Sequence, residues 1–133
     1  MDYKPQIKHA VDYIEAHLCE QISLAEVAKQ SFLSKYHFLR VFRSETGSTV
    51  MAYVRHRRLT EAARELKEGD ARITNLAFKY QFGSEEAFSR AFKALFGLSP
   101  REYRYCAQAH RPITANTTVF ALAPYRADMR MAA

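Results

Sequence analysis

Apolar residues recur along this chain every three to four positions, the period of a helix face. Ile7, Val11, Ile14 and Leu18 form the first stripe and predict a helix over about residues 5–19, with Pro5 in its first turn, where a missing N–H costs nothing. Ser23 opens a short second helix, and Glu26 stands where a capping box needs it, with Leu24, Val27 and Ala28 facing inward. A third helix runs from the cap Ser34 to Gly47 and buries Phe38, Val41 and Phe42. A longer helix is predicted from Val50 to Lys67, ~27 Å at ~1.5 Å per residue. It has two apolar ends, Tyr53 and Val54 at one and Leu59, Ala62, Ala63 and Leu66 at the other, and a wet side of Glu61, Arg64, Glu65 and Glu68. Gly69 closes it and Asp70 is placed to cap a fifth helix carrying Ile73, Leu76 and Ala77. Phe82-Gly83 makes a turn, Ser84 caps a sixth helix with Phe88, Ala91, Phe92 and Phe96 inside, and Ser99-Pro100 starts a seventh. From about Ala107 the pattern dissolves among prolines and threonines. Thr118–Leu122 could form a short strand, but residues 107–133 read best as a tail or linker remnant without order of their own.

Part of this pattern occurs twice. Ser34, Phe38, Arg40, Phe42, Gly47 and Tyr53 are matched by Ser84, Phe88, Arg90, Phe92, Gly97 and Tyr103, always 50 positions on. Each copy is a short helix, a tight turn, and a second helix with a Phe-rich inner face, which is the helix-turn-helix pattern. The second helix of such a motif lies in the DNA major groove, where long donors reach base edges and arginine is bidentate to guanine. A lone arginine at this phase is more often a plain surface residue. The same arginine at the same phase of two copies, Arg40 and Arg90, favours a reading role.

Composition narrows the class. At 133 residues with 48% hydrophobic content, the chain fits one packed domain or two very small ones in contact. No run approaches the ~20 apolar residues of a membrane span, and the N-terminus lacks the pattern of a signal peptide. Cys19 and Cys106 are too few for a disulfide framework, so a reducing, cytoplasmic setting is expected. The net charge is +6, and its distribution is uneven. Residues 34–58 hold Lys35, Arg40, Arg43, Arg55, Arg57 and Arg58 against Glu45 alone, whereas residues 1–33 are acidic on balance. That excess is an electrostatic footprint for a polyanion, although a solvated helix face would look similar.

The second copy carries the more specific motif: Ile73, Leu76-Ala77, Phe82, Ser84, Phe88-x-Arg90-x-Phe92-Lys93, Gly97, Ser99-Pro100 and Tyr103-Arg104. With the first copy it resembles the DNA-binding domain of the AraC/XylS family of bacterial transcription regulators, especially its compact members, over about residues 5–105. The resemblance implies an all-α fold of about seven helices: a helix-turn-helix subdomain at 5–48, a linker helix at 49–68 acting as a ruler, and a second subdomain at 69–106. It implies a sequence-specific regulator, an activator in the compact members, that binds double-stranded DNA as a monomer through two successive major-groove segments and touches RNA polymerase. No cofactor, metal or membrane is implied.

Carried over by position, the base-contact candidates are Tyr36, Leu39 and Arg40 in the first copy and Glu85, Glu86, Ser89 and Arg90 in the second. Ser34, Lys35, Arg43, Lys79, Ser84 and Lys93 are the phosphate candidates, helped by backbone N–H groups at capped helix starts. Four positions depart from the family. Glu85 and Glu86 stand where glutamine is common; a carboxylate can accept from cytosine N4 but also repels phosphate. Leu39 stands in place of a polar reader and suits a thymine methyl. Phe32 occupies a turn position often held by glycine. The first copy is therefore expected to supply most of the affinity, and the second to act as a selective check. Two other function classes fit these residues less well. A methyl-accepting cysteine would have to be Cys19 or Cys106, neither in a cluster, and the five histidines show no ligand spacing, so an enzyme is not expected. A module that targets DNA or binds protein, without regulatory activity of its own, would fit the acidic N-terminal third.

Overall fold

The computed structural model describes residues 2–109, and the expectations for the tail beyond residue 109, its strand included, lie outside the described residues. Seven helices and no strands occur among them: α1 Lys4–Ala16, α2 Leu24–Gln30, α3 Lys35–Thr46, α4 Val50–Glu68, α5 Ile73–Lys79, α6 Glu85–Phe96 and α7 Pro100–Gln108. Contacts divide the chain at Arg57 and Arg58 into two compact units. The helix α4 thus lends Val50, Tyr53 and Val54 to the first core and Leu59, Ala62, Ala63 and Leu66 to the second.

In the first unit, α1, α2, α3 and the start of α4 close over Ile7, Ile14, Val27, Phe38 and Phe42, all fully buried. Glu15 on α1 accepts from Arg57 through both carboxylate oxygens, at 2.8 and 2.9 Å, and ties α1 to α4. In the second unit, Leu66, Leu76, Phe88 and Phe92 occupy the equivalent interior. Phe88, Phe92, Phe96 and Tyr103 form a chain of ring contacts with centroids 4.5–5.7 Å apart. Truncating one such phenylalanine costs ~3–5 kcal/mol, a large share of the ~5–15 kcal/mol that holds a small domain together.

Local chemistry sets most helix ends. Ser23, Ser34, Ser84 and Ser99 each accept from the backbone N–H three residues on. Both arms of a capping box close at Ser99–Glu102. Gly47 at φ 83° and Gly97 at φ 79° end α3 and α6 in the left-handed conformation. Two expectations are corrected. The first helix stops at Ala16, with Leu18 buried just beyond it. The helix α5 starts after Arg72, with no side-chain cap, so Asp70 does not cap it. Phe32 has φ 61° and is 82% exposed. It is a left-handed turn residue outside the core, and Leu33 packs inward instead.

Candidate nucleic-acid interface

In the first unit, α2, the turn at Ser31–Leu33 and α3 build the motif. Phe38, Val41 and Phe42 anchor α3 to the core, so helical geometry turns Lys35, Tyr36, Arg40 and Arg43 outward, and all four are exposed. Leu39 is half-buried and packs against the core edge, leaving only part of its side chain for a groove. The Ser34 hydroxyl accepts from the His37 N–H at 3.3 Å. It satisfies one donor at the helix start, where the partial positive charge favours phosphate. No ion pair engages Lys35, Arg40 or Arg43 among the described residues. Their charge is therefore free to meet a polyanion.

In the second unit, α5, the turn at Tyr80–Gly83 and α6 repeat the arrangement. Phe88, Phe92 and Phe96 anchor α6, and Glu85, Glu86, Arg90 and Lys93 are exposed, with Ser89 half-buried. The Ser84 hydroxyl accepts from the Ala87 N–H at 3.1 Å. The turn is one residue longer than in the first unit. Gln81, at φ 67°, takes the left-handed place of Phe32, Phe82 packs inward as Leu33 does, and Gly83 is the added residue.

Two candidates are already engaged. The Lys79 ammonium donates to both oxygens of Glu65, each at 2.9 Å, so a phosphate there competes with a carboxylate. Glu85 accepts from the Thr74 hydroxyl, whereas Glu86 has no side-chain partner among the described residues. Three relationships lay outside the sequence reading. Arg40 stacks over Tyr36 with 5.8 Å to the ring centroid, a pairing that the i,i+4 spacing could have flagged. The bond from Thr74 to Glu85 left no such signal, because it joins separate helices. Arg104, seen only as part of a motif, donates to the carbonyls of Leu66 and Ala71.

Neither Cys19 nor Cys106 is joined in a disulfide. Among the described residues no group of His, Cys, Asp and Glu is placed to hold a metal, and no helix is long and apolar enough to cross a membrane.

Residues 27–105 match a family model described as a helix-turn-helix domain. Over 98 residues the chain is 40% identical to the HTH-type transcriptional activator AarP of Providencia stuartii, covering 74% of this chain and 73% of that protein. It is 43% identical over 104 residues to the uncharacterized HTH-type transcriptional regulator YbfP of Bacillus subtilis, matching 78% of this chain but only 35% of the longer relative. Among solved structures, the DNA-binding domain of AdpA in complex with a target DNA superposes with a TM-score of 0.73 at 31% identity, over 80% of this chain and 96% of that one. An AraC-type DNA-binding domain protein from Chromobacterium violaceum gives 0.75 at 26% identity, over 78% of this chain and 93% of that one.

Proposed function

The chain belongs to the AraC/XylS family of helix-turn-helix DNA-binding transcription regulators, and on that premise we propose that one molecule reads two successive major-groove segments, α3 entering one and α6 the next. The observation that carries this reading is the duplicated build. Each of α3 and α6 is capped by serine, ended by glycine, pinned by phenylalanines and left with an outward arginine, Arg40 or Arg90. In α3, Arg40 addresses bases with the Tyr36 ring holding it in place, Leu39 offers a methyl contact, and Lys35 and Arg43 hold phosphates with the Ser34 cap. In α6, Glu86, Ser89 and Arg90 address bases, while Lys93 and the Ser84 cap hold phosphates.

The unpaired cations of α3 and the carboxylates of α6 support an unequal division, with α3 supplying affinity and α6 rejecting wrong sites. The name of AarP, a transcriptional activator, supports activation; contact with RNA polymerase is the route by which activation is proposed to occur. The setting is the bacterial cytoplasm, where the chromosome is.

Selecting bound duplexes from a random pool tests the reading. An asymmetric site with two elements about one helical turn apart, ~34 Å, is expected. Inserting half a turn between the elements should then abolish specific binding. Equal binding with and without the insertion would mean that only one helix reads. Sedimentation of the complex at one protein per duplex checks the monomer.

A further inference from the structure

The two adjacent carboxylates of α6 are not equivalent. Glu85 and Glu86 are both exposed and both lie in the first turn. Glu85 accepts a hydrogen bond from the hydroxyl of Thr74, on α5. It lines an open cleft of about 500 Å³ together with Thr74, Arg72 and Arg101, and Glu86 is not part of that lining. Successive helical residues point ~100° apart, so a Glu85 side chain drawn back to α5 leaves Glu86 as the forward carboxylate of the turn. Arg90 is exposed one turn along the helix from Glu86, and the two project from the same face.

We propose that Thr74 is a positioning residue that withholds Glu85 from the bases, so that Glu86 alone acts as the carboxylate reader of α6 and accepts from the amino group of a cytosine. The chemistry is specific. An ionised carboxylate has only acceptors and can meet a cytosine N4 amino group, whereas glutamine presents a donor and an acceptor together and prefers adenine. A hydroxyl on Thr74 can engage Glu85 only through the O–H it donates, and valine has the same shape without it. The inference rests on α6 reading bases, as proposed above.

The test uses the full chain and the site selected by the wild type. Base preference is measured at every position for Glu86→Gln, Glu85→Gln, Thr74→Val and the double variant Thr74→Val with Glu85→Gln. Glu86→Gln is expected to move one position from cytosine towards adenine by about tenfold. Glu85→Gln should leave every preference in place, with at most a uniform gain in affinity from the lost negative charge. Thr74→Val should create a preference at one further position, and adding Glu85→Gln should erase it. A merely structural bond would weaken binding to all sequences alike and would show no such erasure, which overturns the role of Thr74. A preference that moves with Glu85→Gln and not with Glu86→Gln overturns the assignment of the reader. A wild type that enriches two elements, with neither carboxylate affecting either, overturns the inference and leaves the two-helix reading standing. A wild type that enriches no sequence overturns both.

Discussion

The guanidinium of Arg40 lies over the ring of Tyr36, 5.8 Å from its centroid and one turn further along α3. Tyr36 is 74% exposed, so its ring is available to the arginine and to DNA at once. A cation over an exposed aromatic face gains ~0.5–1 kcal/mol, enough to bias the arginine towards one direction before DNA arrives. Arg40→Ala should cost ~1–3 kcal/mol on the preferred site, relax one base position, and cost less on random duplex. Tyr36→Phe keeps the ring and should be close to silent. Tyr36→Ala should lose ~0.5–1 kcal/mol, and that loss should vanish in an Arg40→Ala background if the ring acts by holding the arginine. Titration of labelled duplex with the four proteins checks this. A Tyr36→Ala loss that persists without Arg40 would show that the ring meets the base directly.

Arg43 is exposed near the end of α3, with no ion pair among the described residues, and should act as a point charge on the backbone. Arg43→Ala is expected to weaken specific and random duplexes by similar factors. The slope of log affinity against log salt should fall by about one. Lys79→Ala should change that slope less, because its ammonium already sits between both oxygens of Glu65. Fluorescence anisotropy over a salt series measures both slopes. Equal slopes for the two variants would mean that Lys79 leaves Glu65 for the phosphate.

Phe32 holds φ 61° with its side chain 82% exposed. The left-handed conformation costs a side-chain-bearing residue ~1–2 kcal/mol, and glycine gives back ~0.5–1 kcal/mol of that in unfolded-chain entropy. The one described ring contact of Phe32 is edge-on to His9 at 5.9 Å. Phe32→Gly should therefore stabilise the first unit, by ~0.5 kcal/mol after the two effects are set against each other. Phe32→Val, β-branched in the same conformation, should destabilise it. Urea midpoints followed by helical circular dichroism rank the three. A glycine variant less stable than the wild type would mean that the contact with His9 outweighs the backbone strain.

What could be read from the sequence follows the range of the forces involved. The limits of α3 and α6 were legible because Ser34, Ser84, Gly47 and Gly97 act on their immediate neighbours. The two cores were legible in the apolar ends of α4. The start of α5 was not. Asp70 looked like its cap, but the segment from Leu66 to Ala71 is fixed by Arg104 and Gln108, which reach back from α7 to its carbonyls. No window around Asp70 contains those partners. The exposed arginines of the site were legible from phase alone, whereas the restraint of Glu85 by Thr74 and of Lys79 by Glu65 arises only when separate helices are packed.

The same reach from α7 makes Arg104 a stability residue. Its Nε donates to the Leu66 carbonyl at 3.3 Å and a terminal nitrogen donates to that of Ala71. These carbonyls lie at and just past the last turn of α4, where no intrahelical partner exists. Hydrogen bonds from a charged donor contribute ~1.5–3 kcal/mol. Arg104→Met keeps the stem, removes the donors and should destabilise the second unit by ~2 kcal/mol. DNA binding below the unfolding transition should keep its sequence preference. A variant with unchanged urea midpoint would mean that water replaces both bonds at no cost.

Glu65 gives the second unit a pH dependence of definite sign. Burial alone would raise its carboxyl pKa, but hydrogen bonds from the Tyr80 hydroxyl and the Lys79 ammonium, with the Lys79 charge, outweigh burial and lower it. A carboxyl whose pKa is lower folded than unfolded contributes stability above its unfolded value, ~4.3. That contribution is lost as pH falls through the folded value. Glu102 acts in the same direction, held down chiefly by the backbone N–H of Ser99. Glu65→Gln should therefore be clearly less stable than the wild type at pH 7, and the gap should close as pH falls below ~4. Glu102 remains in both proteins, so its contribution cancels in the comparison. Urea midpoints at pH 7, 5 and 3 measure the gap. One of the same size at all three values would mean that Glu65 acts through packing and not through its charge, and would free Lys79 to be assigned to phosphate.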